Sequence, residues 1–191
     1  MIYKSVNKMF EQAFRDNWEC LALSNYKGTT IFYRDLAERI AKLHILFEHC
    51  GLQKGDKVAI CARNQVNWAV SFLSAMTYGA VPVPILHEFK AGNIHHLVNH
   101  SEAKVLFVDP IVWEGLSELE MPQLQAIARI DTFRLIYSAS ERITYAREHL
   151  NVLFGEKYPE SFGPQDMDYY EDKPDELALI NYTSGTSGFS K

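Results

Sequence analysis

Apolar and polar positions alternate with two different rhythms along this chain. Near the start, Val6, Met9, Phe10 and Phe14 recur at helical spacing, predicting a helix. The stretch "CLALSNYKGTTIFY" (20–33) then gives two short apolar runs around Gly28, predicting a hairpin. A longer helix follows, because Leu36, Ile40, Leu43 and Phe47 fall on one face and Gly51 stands where a helix stop is expected.

After Gly51 the rhythm changes to short apolar runs separated by helix-length segments. "KVAICA" (57–62), "AVPVPIL" (80–86), "KVLFVD" (104–109), "FRLIYS" (133–138) and "ELALINYT" (176–183) read as strands. Runs that are apolar on consecutive positions and bounded by helices indicate largely parallel strands covered on both faces. The expected class is α/β, a mainly parallel, doubly wound sheet flanked by helices, with Trp68 on the helix between the strands at 57–62 and 80–86. "GLQKGDK" (51–57) reads as a polar turn and 155–174 as the longest loop. No internal repeat and no domain boundary stands out.

Charge patterning raises one competing reading and removes it. No Asp, Glu, Lys or Arg occurs from Asn64 to His87, and Trp68 to Leu86 approaches the length of a membrane span. Gly79, Pro82 and Pro84 interrupt that run, so a buried helix feeding a buried strand is expected and a transmembrane segment is not. The charged N-terminal stretch has no apolar core of a secretory leader.

Composition narrows the function. The chain has 191 residues, 47% hydrophobic and 23% charged, enough for one sizeable core. A net charge of -5 without Lys/Arg clusters argues against a nucleic-acid partner. Cys20, Cys50 and Cys61 form no CxxC and read as buried free thiols in a reducing compartment, which points to the cytoplasm.

The chemistry concentrates at "NYTSGTSGFSK" (181–191). In an open α/β sheet, ligands gather beyond the carboxyl ends of the strands, and the expected last strand delivers Thr183 into this segment. Gly185 and Gly188 let backbone N–H groups approach an anion, the hydroxyls of Thr183, Ser184, Thr186 and Ser187 can donate to phosphate oxygens, and Lys191 adds a full positive charge. Walker A spacing is excluded because Phe189 and Ser190 separate Gly188 from Lys191, and GxSxG is excluded because Gly188 directly follows Ser187.

The segment resembles the signature loop of the adenylate-forming superfamily, which includes acyl-CoA ligases, peptide-synthetase adenylation domains and luciferases. Its pattern is Tyr/Phe-Thr-Ser-Gly-Ser/Thr-Thr-Gly-x-Pro-Lys, and Tyr182, Thr183, Ser184, Gly185, Thr186, Gly188 and Lys191 stand in register. Ser187 replaces the usual Thr and keeps a hydroxyl, whereas Ser190 replaces the usual Pro and loses its fixed φ. Similarity extends through "TTIFYRDLAERIAKL" (29–43), "GLQKGDKVAICARNQVNWAVSFLSAMTYGAVPVPI" (51–85) and "HSEAKVLFVD" (100–109), and Asn64 with Trp68 is most similar to the long-chain fatty acid-CoA ligases.

The resemblance implies ATP as the nucleotide, with Thr183, Ser184, Gly185, Thr186, Ser187, Gly188 and Lys191 on its pyrophosphate side. It also implies Mg2+, a small-molecule carboxylic acid substrate and coenzyme A. Family members are several hundred residues long, so residues 1–191 are expected to form a partial N-terminal AMP-binding domain ending just after the phosphate loop. No catalytic residue is then expected within it, and self-association through uncovered apolar surface is. Two other readings stay open: a stand-alone module that binds a phosphorylated ligand, and an adenylating enzyme that loads a carrier protein.

Weaker candidates are better explained structurally. His96 and His100 lie four apart, as a helical metal pair would, but no third ligand is near in sequence, so no metal site is assigned. Asp172, Asp175 and Glu176 read as loop acids rather than a glycosidase pair, and Trp18, Trp68 and Trp113 as packing residues.

Overall fold

The structure is a computed structural model that describes residues 5–182. Helix α1 (Val6–Asp16) opens it, and the Ser5 hydroxyl caps it by accepting from the Lys8 N–H at 3.1 Å. Its buried face differs from the apolar spacing: Asn7, Glu11 and Phe14 face inward, while Val6 and Met9 are 44% and 41% exposed. Polar groups turn inward because partners wait there. Asn7 Nδ2 donates to the Met76 carbonyl at 2.8 Å, and Glu11 accepts from Lys8 (2.9 Å), Arg15 (2.7 Å) and the Tyr169 N–H (2.8 Å).

Strands β1 (Leu21–Ser24) and β2 (Thr30–Phe32) form the expected hairpin as a separate antiparallel pair. Helix α2 (Tyr33–His49) buries Leu36, Ile40, Leu43 and Phe47, as their spacing predicted, and gives way to Gly51 at φ +70°.

The remaining elements build the main sheet. In order they are β3 (Lys57–Cys61), α3 (Val66–Tyr78), β4 (Val81–Ile85), α4 (Ala91–His100), β5 (Ala103–Val108), α5 (Pro110–Trp113), β6 (Ala126–Arg129), β7 (Leu135–Ser138), α6 (Glu141–Glu148) and α7 (Leu150–Lys157). The strand order is β4-β3-β5-β6-β7, with β7 alone running antiparallel to its neighbour. Helix α3, carrying Trp68, connects β3 to β4 as anticipated. β6 was not anticipated.

Successive residues of the central strands point to opposite faces. Val58, Ile60, Val105 and Phe107 pack in one core with Leu43, Phe47 and Val70 of α2 and α3. Ala59, Cys61, Leu106 and Val108 pack in a second core with Ile94, Leu97 and Val98 of α4. Helices therefore cover both faces, which is why these strands read as continuous apolar runs.

Three expectations need correction. The run at 176–183 does not form a strand within the described residues. It passes beside β4 with one backbone bond, from the Ile180 N–H to the Pro82 carbonyl at 3.1 Å. Pro82 and Pro84 have no N–H to return, so this edge accepts hydrogen bonds but cannot build a ladder. Cys50 and Cys61 are buried thiols, but Cys20 is exposed. Within 155–174 the end of α7 and a 3-10 turn at Pro164–Asp166 supply local structure, and the Tyr170 N–H bonds the Thr77 carbonyl at 2.9 Å. No helix among the described residues is long and apolar enough to cross a membrane.

Candidate functional site at the carboxyl edge of the sheet

The sheet changes direction at its centre. From β3 the chain crosses through α3 outward to β4; it returns through α4 to β5, on the other side of β3, and continues to β6. The crevice beyond the carboxyl ends of β3 and β5 is where such sheets take ligands. Here the two strand ends are tied together. The Asp109 N–H donates to the Cys61 carbonyl at 3.0 Å, Asp109 Oδ1 accepts from the Ile111 N–H at 3.1 Å, and Arg63 Nε lies 3.7 Å from Asp109 Oδ2.

Cys61 has no nucleophilic character at this edge. Burial, with a smaller contribution from Asp109, pushes its thiol up to about 12, so it stays protonated at neutral pH.

Beside the crevice is a cavity of about 450 Å³ lined by Asn64, Trp68, Leu86, His87, Asn181 and Tyr182. The first two follow β3 and the next two follow β4. Trp68 is fixed by stacking on Phe72, with ring centroids 5.3 Å apart and an 11° interplanar angle. The lining thus combines the Trp68 indole with the segment that leads to position 183, Asn181 and Tyr182.

Tyr182 is the part of the signature motif that the structure describes. Its ring is 8% exposed and packs in the second core. Its hydroxyl lies 2.8 Å from His100 Nδ1, and the rings meet edge to face at 5.8 Å. Burial raises the Tyr182 phenol above its ordinary value, so it remains a neutral hydrogen-bonding group. Thr183, Ser184, Gly185, Thr186, Ser187, Gly188 and Lys191 lie outside the described residues.

The weaker candidates resolve into packing. His100 meets Tyr182 and also lies with its ring 5.8 Å from that of His96, and His95 Nε2 accepts from the Ser117 N–H at 3.2 Å. No group of three or more His, Cys, Asp or Glu among the described residues is arranged to hold a metal ion. Glu176 pairs with Lys54 at 2.6 Å and accepts from the Tyr170 hydroxyl. Sequence reasoning missed His87 and the role of His100; nothing in the spacing links His100 to a tyrosine 82 positions away.

An open, mostly parallel sheet with helices on both faces and a crevice beyond its carboxyl edge defines an α/β fold of the doubly wound kind. The chain belongs to the AMP-binding enzyme family, whose model matches residues 10–191. It is 27% identical to fatty acyl-CoA synthetase A of Dictyostelium discoideum over 97% of this chain and 28% of that protein. It is 21% identical to polyketide synthase PksN of Bacillus subtilis (strain 168) over 98% of this chain and 3% of that protein. The fold is similar to the crystal structure of the anthranilate CoA ligase AuaEII in complex with anthranoyl-AMP, with a TM-score of 0.76 and 18% identity over 100% of this chain and 34% of that one. The chain thus spans less than a third of the length of these curated relatives.

Proposed function

We propose that these residues form the N-terminal part of an enzyme that activates a carboxylic acid with ATP, and that 183–191 hold the pyrophosphate side of the nucleotide. The observation that supports this most is the anchored position of Tyr182, the motif's first residue, at the wall of the carboxyl-edge cavity. The donor set beyond it fits a polyphosphate: residues 183–191 carry five hydroxyls, two glycines and one lysine, with no Asp or Glu among them. In the reaction the acid's carboxylate attacks the α-phosphorus of ATP, the bond to the β,γ-pyrophosphate breaks, and acyl-AMP forms. Charge gathers on the departing pyrophosphate, where oriented hydroxyls, backbone N–H groups and Lys191 lower the barrier. Mg2+ would neutralise the same phosphates, with its protein ligands coming from outside the described residues.

In the second half-reaction we favour the coenzyme A thiol as acceptor and a fatty acid as substrate. The similarity to a fatty acyl-CoA synthetase and the Asn64 and Trp68 pattern support that reading. The similarity to a polyketide synthase supports a second one, transfer to a carrier-protein thiol. Unpaired thiols at Cys50 and Cys61 suit a cytoplasmic enzyme.

The test is hydroxylamine trapping of acyl-adenylate formed by the complete polypeptide across a panel of short, long and aromatic acids, followed by acceptor competition between coenzyme A and a carrier protein. Acid-dependent hydroxamate with long chains preferred supports the reading. No hydroxamate with any acid would dismiss it.

A further inference from the structure

Among the described residues, the segment that leads into the loop is tied to the sheet by one backbone hydrogen bond. Pro82 and Pro84 occupy alternate positions of β4, opposite Val58 and Ile60 in the register with β3, and alternate with Val81, Val83 and Ile85. In a parallel strand, alternate residues turn both backbone groups to the same side, and Pro82 is the residue whose carbonyl faces outward to Ile180. Both prolines therefore remove an N–H from that outer edge, and among the described residues Ile180 N–H to Pro82 is the backbone bond that ties 176–182 to it. One bond sets position poorly, because strand register ordinarily comes from a whole ladder.

Side chains from elsewhere supply the other constraints: Lys54 and the Tyr170 hydroxyl hold Glu176 at the start of the segment, and His100 acts at its far end. His100, at the end of α4, meets the Tyr182 hydroxyl at 2.8 Å and packs its ring edge to face against the phenol. Tyr182 itself is sunk into the core beneath β3, β4 and β5. We infer that His100 is a positioning residue: its hydrogen bond to Tyr182 replaces the missing ladder and fixes the register at which the chain enters the nucleotide loop. The catalytic part of this inference rests on the function proposed above; the register part does not.

The test uses the complete polypeptide with Tyr182→Phe, His100→Phe and the double variant. The phenylalanines keep an aromatic ring and remove the hydrogen bond. Amide hydrogen exchange at Ile180 reads the register directly. Each single variant should lose about fivefold protection there, the value of one ordinary hydrogen bond, while Val58 and Val105 stay protected as in the wild type. The double variant should lose no more than either single one, and His100→Gln, which restores a hydrogen-bonding group, should recover part of the protection. In acid-dependent ATP–pyrophosphate exchange, the same variants should raise KM for ATP severalfold with a smaller change in kcat. Wild-type protection at Ile180 in both single variants, or losses that add in the double variant, would overturn the inference. If the wild type shows no ATP–pyrophosphate exchange but the Ile180 protection falls as stated, the proposed activity fails and the register role stands.

Discussion

The Asp172 carboxylate accepts a 2.5 Å hydrogen bond from the Ser5 hydroxyl, joining residues 167 positions apart at the start of α1. The same carboxylate accepts from the N–H groups of Asn7 (2.8 Å) and Val6 (3.2 Å), two donors that the first helical turn leaves free. Burial alone would raise the Asp172 pKa, but these three bonds outweigh it and hold it below the usual carboxylate value. A negative charge here also faces the positive end of the helix dipole.

Asp172→Ala should therefore destabilise the fold by about 1–2 kcal/mol, the range for loss of a helix cap. Because the folded pKa is depressed, Asp172's contribution is present above the ordinary value of 3.8 and disappears as pH falls through the lower folded value. Urea unfolding at pH 7 and again at pH 2.5 checks both points. The difference between wild type and variant should shrink at the lower pH.

Gly79 ends α3 at φ +87°, and a Cβ there would stand 2.9 Å from Tyr170 Cγ. Both the backbone conformation and the space favour glycine. Gly79→Ala should cost about 2–3 kcal/mol, more than the ~1 kcal/mol for a left-handed residue alone, because the Tyr170 ring must move as well. Pairing it with Tyr170→Ala in a double-mutant cycle separates the two parts: the clash term should vanish and the backbone term should remain.

His44 gives the pH dependence. Its Nε2 lies 3.1 Å from both the Ser74 carbonyl and Thr77 Oγ1. Burial lowers its pKa to about 4, and Lys157 acts in the same direction against the Ser74 carbonyl. The fold thus holds the ring neutral, whereas the unfolded chain protonates it near 6.5. Stability is full above 6.5 and falls as pH drops from there toward 4, since the unfolded state binds the extra proton. The ring lines a cavity beside Lys157 and Tyr158, so solvent reduces the effect to about 1–2 kcal/mol. Urea midpoints at pH 7.5 and 4.5 measure it, and His44→Gln should flatten the slope.

The parts of the fold that were legible from sequence are those where burial follows local pattern. The α2 stripe and the runs forming β3, β4 and β5 are apolar because they sit in cores whatever their partners are. Where a distant partner decides, the pattern misleads. The inner face of α1 is polar because Asp172, Tyr169 and Met76 reach it from far along the chain. β6 is only four residues, Ala126–Arg129, bordered by Gln125, and has too little alternation to stand out. The run at 176–183 has the composition of a strand, but it lies against an edge that two prolines have stripped of donors. At the site, the loop motif could be read directly, whereas the anchor of Tyr182 on His100 could not.

If the loop entered at Tyr182 handles the pyrophosphate of ATP, acid-dependent ATP–pyrophosphate exchange must depend on that loop. The complete polypeptide should catalyse exchange only when a carboxylic acid is present. Lys191→Ala should lower kcat/KM by about 10- to 100-fold, the worth of a charge-assisted contact that strengthens as the leaving group gains charge. Exchange that is undiminished by Lys191→Ala would remove the loop's lysine from that role, and exchange without any acid would rule out acyl-adenylate formation.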